Sequence, residues 1–290
     1  MLSNIGFNIK VNNLEKIWGA GRQATWSRET DGSLDSREAP IFQPSLPRLV
    51  CLERNYFIQI AIDNMLYFIP TPIGNKQDIT LRAIQLFGEI KYFLCEDTRT
   101  ARKLLSMYEI DYSDKEFYSL TSFTDRGKLN HYKNLISTND VAMVSEAGTP
   151  GLSDPGKSLI QLCNDHNLPY SILPGANALV PAIVGAGFDT TIFTFLGFLP
   201  QKKGRQTALK KIINNQTPTF FYESVHRIEK LITELKQLSF SGKISIAREI
   251  SKIFEQYRTG NLDELEKLIH STQTDKMMIK GEFVIGICPL

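Results

Sequence analysis

Residues 141–156 read VAMVSEAGTPGLSDPG, an apolar run that breaks at Ser145 into a loop of small and turn-forming residues. Gly148, Gly151 and Gly156 let the backbone come close to a ligand, and Pro150 and Pro155 stiffen it. The N–H and carbonyl groups of such a loop can grip polar edges without side chains, so the chemistry it suits is the binding of a small molecule by main chain. Two shorter polar strings stand in the same relation to an apolar run: TPIGN at 71–75 and EDTR at 96–99. Further on, FYESVHR (221–227) sets Glu223 and His226 at the end of another. His131, His166 and His270 fall inside helical patterns and are read as surface or packing residues. The chain has no GxxxxGK[ST] loop and no GxSxG elbow, and its first strand is followed by TPIGN, not GxGxxG. Cys51, Cys95, Cys163 and Cys288 are scattered without a CxxC pair, which argues against a zinc site or a disulfide framework. No metal is expected, and a reducing cytoplasm is the compartment that fits.

The net charge of +2 conceals an asymmetry. Residues 65–198 carry 11 Lys/Arg against 14 Asp/Glu, and residues 199–290 carry 15 against 10. The densest basic stretch, QKKGRQTALKK, holds Lys202, Lys203, Arg205, Lys210 and Lys211 and no acid. It is either the approach surface for a polyanion such as RNA or a solvated helix face with its entry loop.

The elements that must position these residues alternate along the chain. Strands are expected at 65–70, 92–95, 117–120, 141–144 and 170–173, separated by helices with apolar residues at helical spacing. Asp78 or Thr80 can cap the first helix. This alternation predicts a parallel sheet with helices on both faces, whose polar strand ends share one rim. Strands at 193–198, 218–222, 243–248, 254–259 and 281–288, with helices at 228–236 and 262–269, read as a second α/β unit with more hairpin character. The expected division is 1–64, 65–188 and 189–290. Residues 1–64 carry both tryptophans and no sustained period, and are read as an unassigned extension ahead of a start at Met65. No run approaches the roughly 20 apolar residues of a membrane span.

PTPIGN, CEDTR, SEAGTPGLSDPG, LPGANAL, FLGFLP, FYESVHR, AREISK and KGEFV follow one another in order from Pro70 to Val284. With these motifs the chain resembles the 16S ribosomal RNA cytidine 2′-O-methyltransferases, a branch of the tetrapyrrole methylase superfamily. The resemblance implies a two-domain α/β protein, usually a homodimer, that binds S-adenosylmethionine between its domains and methylates a ribose hydroxyl in the decoding region of the 30S subunit. Carried onto this sequence, it implies cofactor contacts at Ile73, Gly74, Gly148, Thr149, Leu152, Ser153, Asn177 and Ala178, with Tyr222, Glu223 and Ser224 closing from the second domain. Glu146 stands where the branch generally has Asp, and Asn177 where a small residue is usual.

A ribose hydroxyl is a poor nucleophile at neutral pH, so a base within hydrogen-bond reach is expected. Glu96, Asp97, Glu223, His226 and Glu282 are available, and Asp97 and Glu223 are favoured because both stand at strand ends facing the presumed cleft. Arg99, Arg227, Arg248 and Lys280 are read as phosphate or carboxylate partners. Lys202, Lys203 and Arg205 are the expected RNA surface, joined by Arg227 and Arg248. Two other readings stay open: a corrin or porphyrin C-methyltransferase of the same superfamily, and a non-catalytic RNA-binding assembly factor.

Overall fold

The computed structural model describes residues 64–121, 124–270 and 280–289, together with two short strands, β1 (Leu49–Cys51) and β2 (Phe57–Gln59), that pair antiparallel. The rest of the extension expected over 1–64 lies outside the described residues, except Asn64.

Five strands, β3 (Leu66–Ile69), β4 (Tyr92–Cys95), β5 (Glu116–Ser119), β6 (Val141–Val144) and β7 (Tyr170–Ile172), form a wholly parallel sheet in the order β5-β4-β6-β3-β7. β3 and β6 are buried at every residue, as a sheet covered on both faces requires. Tyr67 and Ile69 point toward α1 (Leu81–Glu89) and α2 (Thr98–Met107); Leu66 and Phe68 point toward α3 (Arg126–Thr138) and α4 (Lys157–His166). The chain travels one way across the sheet through α1 and α2 and returns through α3 and α4. Right-handed crossovers then put the two helix pairs on opposite faces. The direction reverses between β3 and β6, whose loops leave toward opposite edges, and a crevice opens there at the carboxyl ends of the strands. α1, α2 and α3 each start on a side-chain cap: Thr80 Oγ1 accepts from Ala83 N at 3.1 Å, Asp97 Oδ1 from Arg99 N at 2.7 Å, and Asp125 Oδ1 from Lys128 N at 2.9 Å.

The second sheet runs β11-β10-β12-β9-β8, built from β8 (Thr194–Phe198), β9 (Thr219–Ser224), β10 (Gly242–Arg248), β11 (Gln256–Gly260) and β12 (Glu282–Pro289). Only β8 and β9 pair in parallel; the other three pairings are antiparallel. The expected fold class, a parallel first sheet and a mixed second one, is the fold found. One face of this sheet is covered by α6 (Arg205–Ile213), α7 (Ile228–Gln237) and α8 (Leu262–His270). The other receives α5 (Leu179–Gly185), whose Leu179 and Ile183 pack on Phe220 and whose Ala182 meets Ala247 and Val284. α5 precedes the boundary expected at residue 188, yet its apolar face is spent on the second sheet. Among the described residues no helix is long and apolar enough to cross a membrane.

Candidate active site

The loop after β6 is held by its own backbone. Thr71 and Gly148 exchange two backbone hydrogen bonds of 3.0 and 2.9 Å, tying the loop after β3 to the loop after β6 across the crevice. Buried Ser145 donates to the Gly148 carbonyl at 2.8 Å, and buried Thr71 donates to the Ser145 carbonyl at 3.2 Å. Gly148 has φ +82°, and a Cβ there would stand 3.4 Å from Ile73 Cγ2 and 3.7 Å from the Ala176 carbonyl, so a side chain would narrow the cradle. From the second sheet, Gly197 interrupts the β8–β9 register with φ +62°, and its position lies close enough to the Ser153 hydroxyl that a Cβ would come within 3.0 Å.

These elements enclose a cavity of about 530 Å³. Ile73, Gly148, Thr149, Leu152 and Ser153 line one side, with Asn177 and Ala178 beside them. Tyr222, Glu223, Ser224 and His226 line the other. Phe198, which sequence reasoning did not single out, stacks at a tilt on Tyr222 with ring centroids 5.2 Å apart and gives the cavity an aromatic wall. Glu96, Glu146 and Asp154 supply negative charge. Burial, with the like charges of Glu96 and Glu146 added, lifts the Asp154 carboxyl from 3.8 to about 6. Burial and the Asp154 charge likewise raise the Tyr222 phenol. A cavity gripped by main chain, walled by aromatic rings and edged by acids, with no Lys or Arg among its described lining residues, suits a partly apolar ligand that carries positive charge.

Several expected roles are corrected by the geometry. Gly74 does not border this cavity; it lies under the loop after β10, where a Cβ would collide with Lys252 Cγ. Asp97 is the cap of α2 and is clasped by Arg99, with Nη2–Oδ2 2.7 Å and Nε–Oδ1 3.1 Å; these bonds hold its carboxyl at about 2, too weak a base for the task. Arg99 is thereby engaged, largely exposed, and outside the cavity wall.

Glu223 is corrected by strand alternation. Tyr222 and Ser224 face the cavity, so Glu223, although it lies along the cavity wall, turns its side chain to the helix-covered face, where it is 0% exposed. There Arg205 Nη1 stands 2.9 Å from Glu223 Oε2 in an ion pair too misaligned for a hydrogen bond. Arg205 Nε donates to Glu234 Oε2 at 2.8 Å, and Arg227 Nε donates to Glu223 Oε1 at 2.5 Å. With both oxygens committed to guanidinium groups, Glu223 has none free for a substrate proton.

The same cluster corrects the basic surface. Arg205 is 2% exposed and cannot meet a polyanion. Arg227 is tied to Glu223 and largely buried. Arg248, 3% exposed, spends its guanidinium on the carbonyls of Lys280 (2.7 Å) and Phe254 (3.0 Å) and on Gln256 Oε1 (3.3 Å). Lys202 and Lys203 are exposed, as are Lys210 and Lys211 on α6.

A second cavity, about 540 Å³, is lined by Val225, His226, Glu229, Lys280 and Gly281, and shares Val225, His226 and Gly281 with the first. Among the described residues no group of three or more His, Cys, Asp or Glu side chains could hold a metal ion.

Residues 65–266 match the family described as Tetrapyrrole (Corrin/Porphyrin) Methylases. The chain is similar to "Ribosomal RNA small subunit methyltransferase I" of Helicobacter pylori (strain J99), with 38% identity over 239 residues, 76% of this chain and 81% of the relative. It is equally similar to the protein of that name from Hydrogenobaculum sp., 38% identical over 226 residues, 76% of this chain and 94% of the relative. Among solved structures, the methyltransferase CobJ superposes with a TM-score of 0.54 at 15% identity, over 78% of this chain and 94% of that one, a likeness of fold.

Proposed function

This chain belongs to the tetrapyrrole methylase family, in its ribosomal RNA small subunit methyltransferase I branch, and from that premise we propose that it transfers a methyl group from S-adenosylmethionine to the 2′-hydroxyl of a cytidine in 16S ribosomal RNA. The observation that carries this reading is the main-chain cradle between Gly148 and Asn177, facing Tyr222 and edged by Glu96, Glu146 and Asp154. Its residues fit the cofactor. The aromatic wall of Phe198 and Tyr222 suits a flat base, the backbone of 148–153 suits polar edges, and the three acids suit a ligand with sulfonium and ammonium charges. When bound, the cofactor supplies an electrophilic methyl group on a sulfonium centre.

The protein's own share is positioning, solvent exclusion and handling of one proton. Much of the acceleration of an in-line displacement comes from holding the two reactants in register, which a cradle fixed by Thr71, Ser145 and Gly148 does without side-chain motion. The group assigned to the hydroxyl proton is His226, because it borders both cavities and its side chain has no hydrogen bond or ion pair to any other described residue. Exposed Lys202 and Lys203 are assigned to the RNA approach. Neither cavity has an arginine in its described wall, which disfavours a polycarboxylate pigment as acceptor. The reading extends to two α/β domains at 65–188 and 189–290, to a homodimer, for which exposed Val180 and Val184 on α5 offer apolar surface, and to a cytoplasmic site of action.

The test is to incubate the protein with methyl-labelled S-adenosylmethionine and undermethylated 30S subunits and to map the label by nuclease digestion. Label on a cytidine ribose is expected. Label on a base, or none on RNA, sinks the proposal.

A further inference from the structure

Apart from the three acids of the first cavity, charged side chains around the junction of the two cavities divide into two sets. Arg205, Glu223, Arg227, Glu234, Glu249 and Lys252 are all held in ion pairs, and Arg248 spends Nε and Nη1 on two carbonyls and an amide oxygen. Around the second cavity the pattern changes. The side chains of His226, Glu229 and Lys280 make no hydrogen bond or ion pair to any other described residue. An imidazole, a carboxylate and an ammonium, all on exposed residues, thus border one space without a partner among the described residues. Their backbones are nonetheless fixed. Arg248 grips the Lys280 carbonyl; Gly281, with φ +96°, packs so tightly on Glu249 that a Cβ would collide with that side chain; and Glu229 rides on the first turn of α7.

Resting on the reading above, we infer that this second cavity is the acceptor-nucleotide site, in which Glu229 selects cytidine and Lys280 holds a flanking phosphate. The three residue types match three parts of one nucleotide. A carboxylate accepts from the exocyclic amino group of cytosine, and finds only a carbonyl at the same place on uracil. An ammonium is a point partner for a phosphate oxygen. The imidazole stands on the wall common to both cavities, where the ribose of a nucleotide in the second would face the ligand of the first. An unpaired nucleotide turned out of its strand is what such a space can admit, since sequence-specific RNA recognition reads bases that are not stacked. The volume, about 540 Å³, is of the size usual for small-ligand sites.

The experiment compares wild type, Glu229→Gln and Lys280→Met on two undermethylated 30S preparations, one with the natural acceptor cytidine and one with uridine in its place. Wild type should favour cytidine. Glu229→Gln, whose amide can donate to the uracil carbonyl, should lower the ratio of kcat/KM for cytidine over uridine about tenfold or more, the size of one base-edge pair. Lys280→Met should raise KM for both acceptors alike and reduce the salt slope of 30S binding by about 1. Calorimetry with S-adenosylmethionine should give the wild-type affinity for both variants, which separates loss of the acceptor site from loss of the fold. An acceptor ratio within about twofold of wild type in Glu229→Gln, on a protein that binds cofactor normally, overturns the inference and leaves the methyltransferase reading standing. Wild type that transfers no label to ribose in either preparation removes both.

Discussion

The buried cluster around Arg205 makes the sharpest prediction about stability, because a sequence view and the structure assign that residue opposite duties. Arg205→Met keeps most of the apolar stem and deletes the guanidinium. Two carboxylates then lose a partner in a place where water cannot replace it. Glu223 keeps Arg227 at 2.5 Å; Glu234, its side chain 7% exposed, keeps only Gln206 Nε2 at 3.3 Å and Lys230 Nζ at 3.8 Å. Breaking a buried pair by removing one partner costs about 3–5 kcal/mol, a large fraction of the roughly 5–15 kcal/mol that holds a domain folded. For a chain of this size that is a fall in melting temperature on the order of 10 °C. Chemical and thermal denaturation of Arg205→Met measure it directly. Arg205→Met/Glu234→Leu should recover a good part of the loss, because the second change removes the stranded charge. The salt dependence of 30S binding should stay at the wild-type slope. An unchanged melting temperature together with a slope reduced by about 1 would mean that Arg205 reaches phosphate, and the assignment of a structural role would be wrong.

Asp154 should couple cofactor affinity to pH. Its carboxyl is raised to about 6 by burial and by Glu96 and Glu146, so a cationic ligand gains its full counter-charge only above that value. Affinity for S-adenosylmethionine should weaken as pH falls through about 6, by up to about tenfold per pH unit, and Asp154→Asn should flatten the profile and start from weaker binding. The sign for the free protein is opposite. The folded state holds this proton more tightly than the unfolded chain, so the stability it contributes is lost as pH rises from 3.8 to about 6, and a pH titration of unfolding compares the two proteins. Replacing exposed Lys202 and Lys203 by Gln should weaken 30S binding for any acceptor sequence and lower the salt slope by about 2, read by filter binding at several salt concentrations, with cofactor affinity unmoved.

The two sheets were legible in the sequence because their signals are local. β4 and β6 are four-residue apolar runs bounded by turn chemistry, and the polar strings that follow β3, β4 and β6 stop them cleanly. The cradle at 145–154 was legible for the same reason, since glycines and prolines act on the backbone where they stand. Neither a strand end nor a basic string fixes which way a side chain points. Arg205, Leu209 and Ile212 are spaced by four and three residues on one buried stripe of α6, so helical period already turned Arg205 inward, against the pull of the basic string around it. Asp97, directly before a helix, carried the signature of a cap. Asp154 gave no such signal; its carboxyl is raised first by burial and then by Glu96 and Glu146, and only the folded crevice supplies either.

One short segment shows how both duties can come from a single strand end. Along β9 the period of two sends Phe221 and Glu223 under α6 and α7, where Arg205 pairs with Glu223, and turns Tyr222 and Ser224 to the cavity. The single 3₁₀ turn Val225–Arg227 then breaks that period, returning Arg227 to Glu223 while His226 is left on the wall that both cavities share. The loop after β6 thus needs a rigid counterpart, and β9 supplies it because its buried half is pinned by charge. A variant that loosens Arg205 should therefore move Tyr222 and weaken cofactor binding even at temperatures where the protein stays folded, whereas Lys202 and Lys203, on the loop that precedes it, can be changed without that consequence.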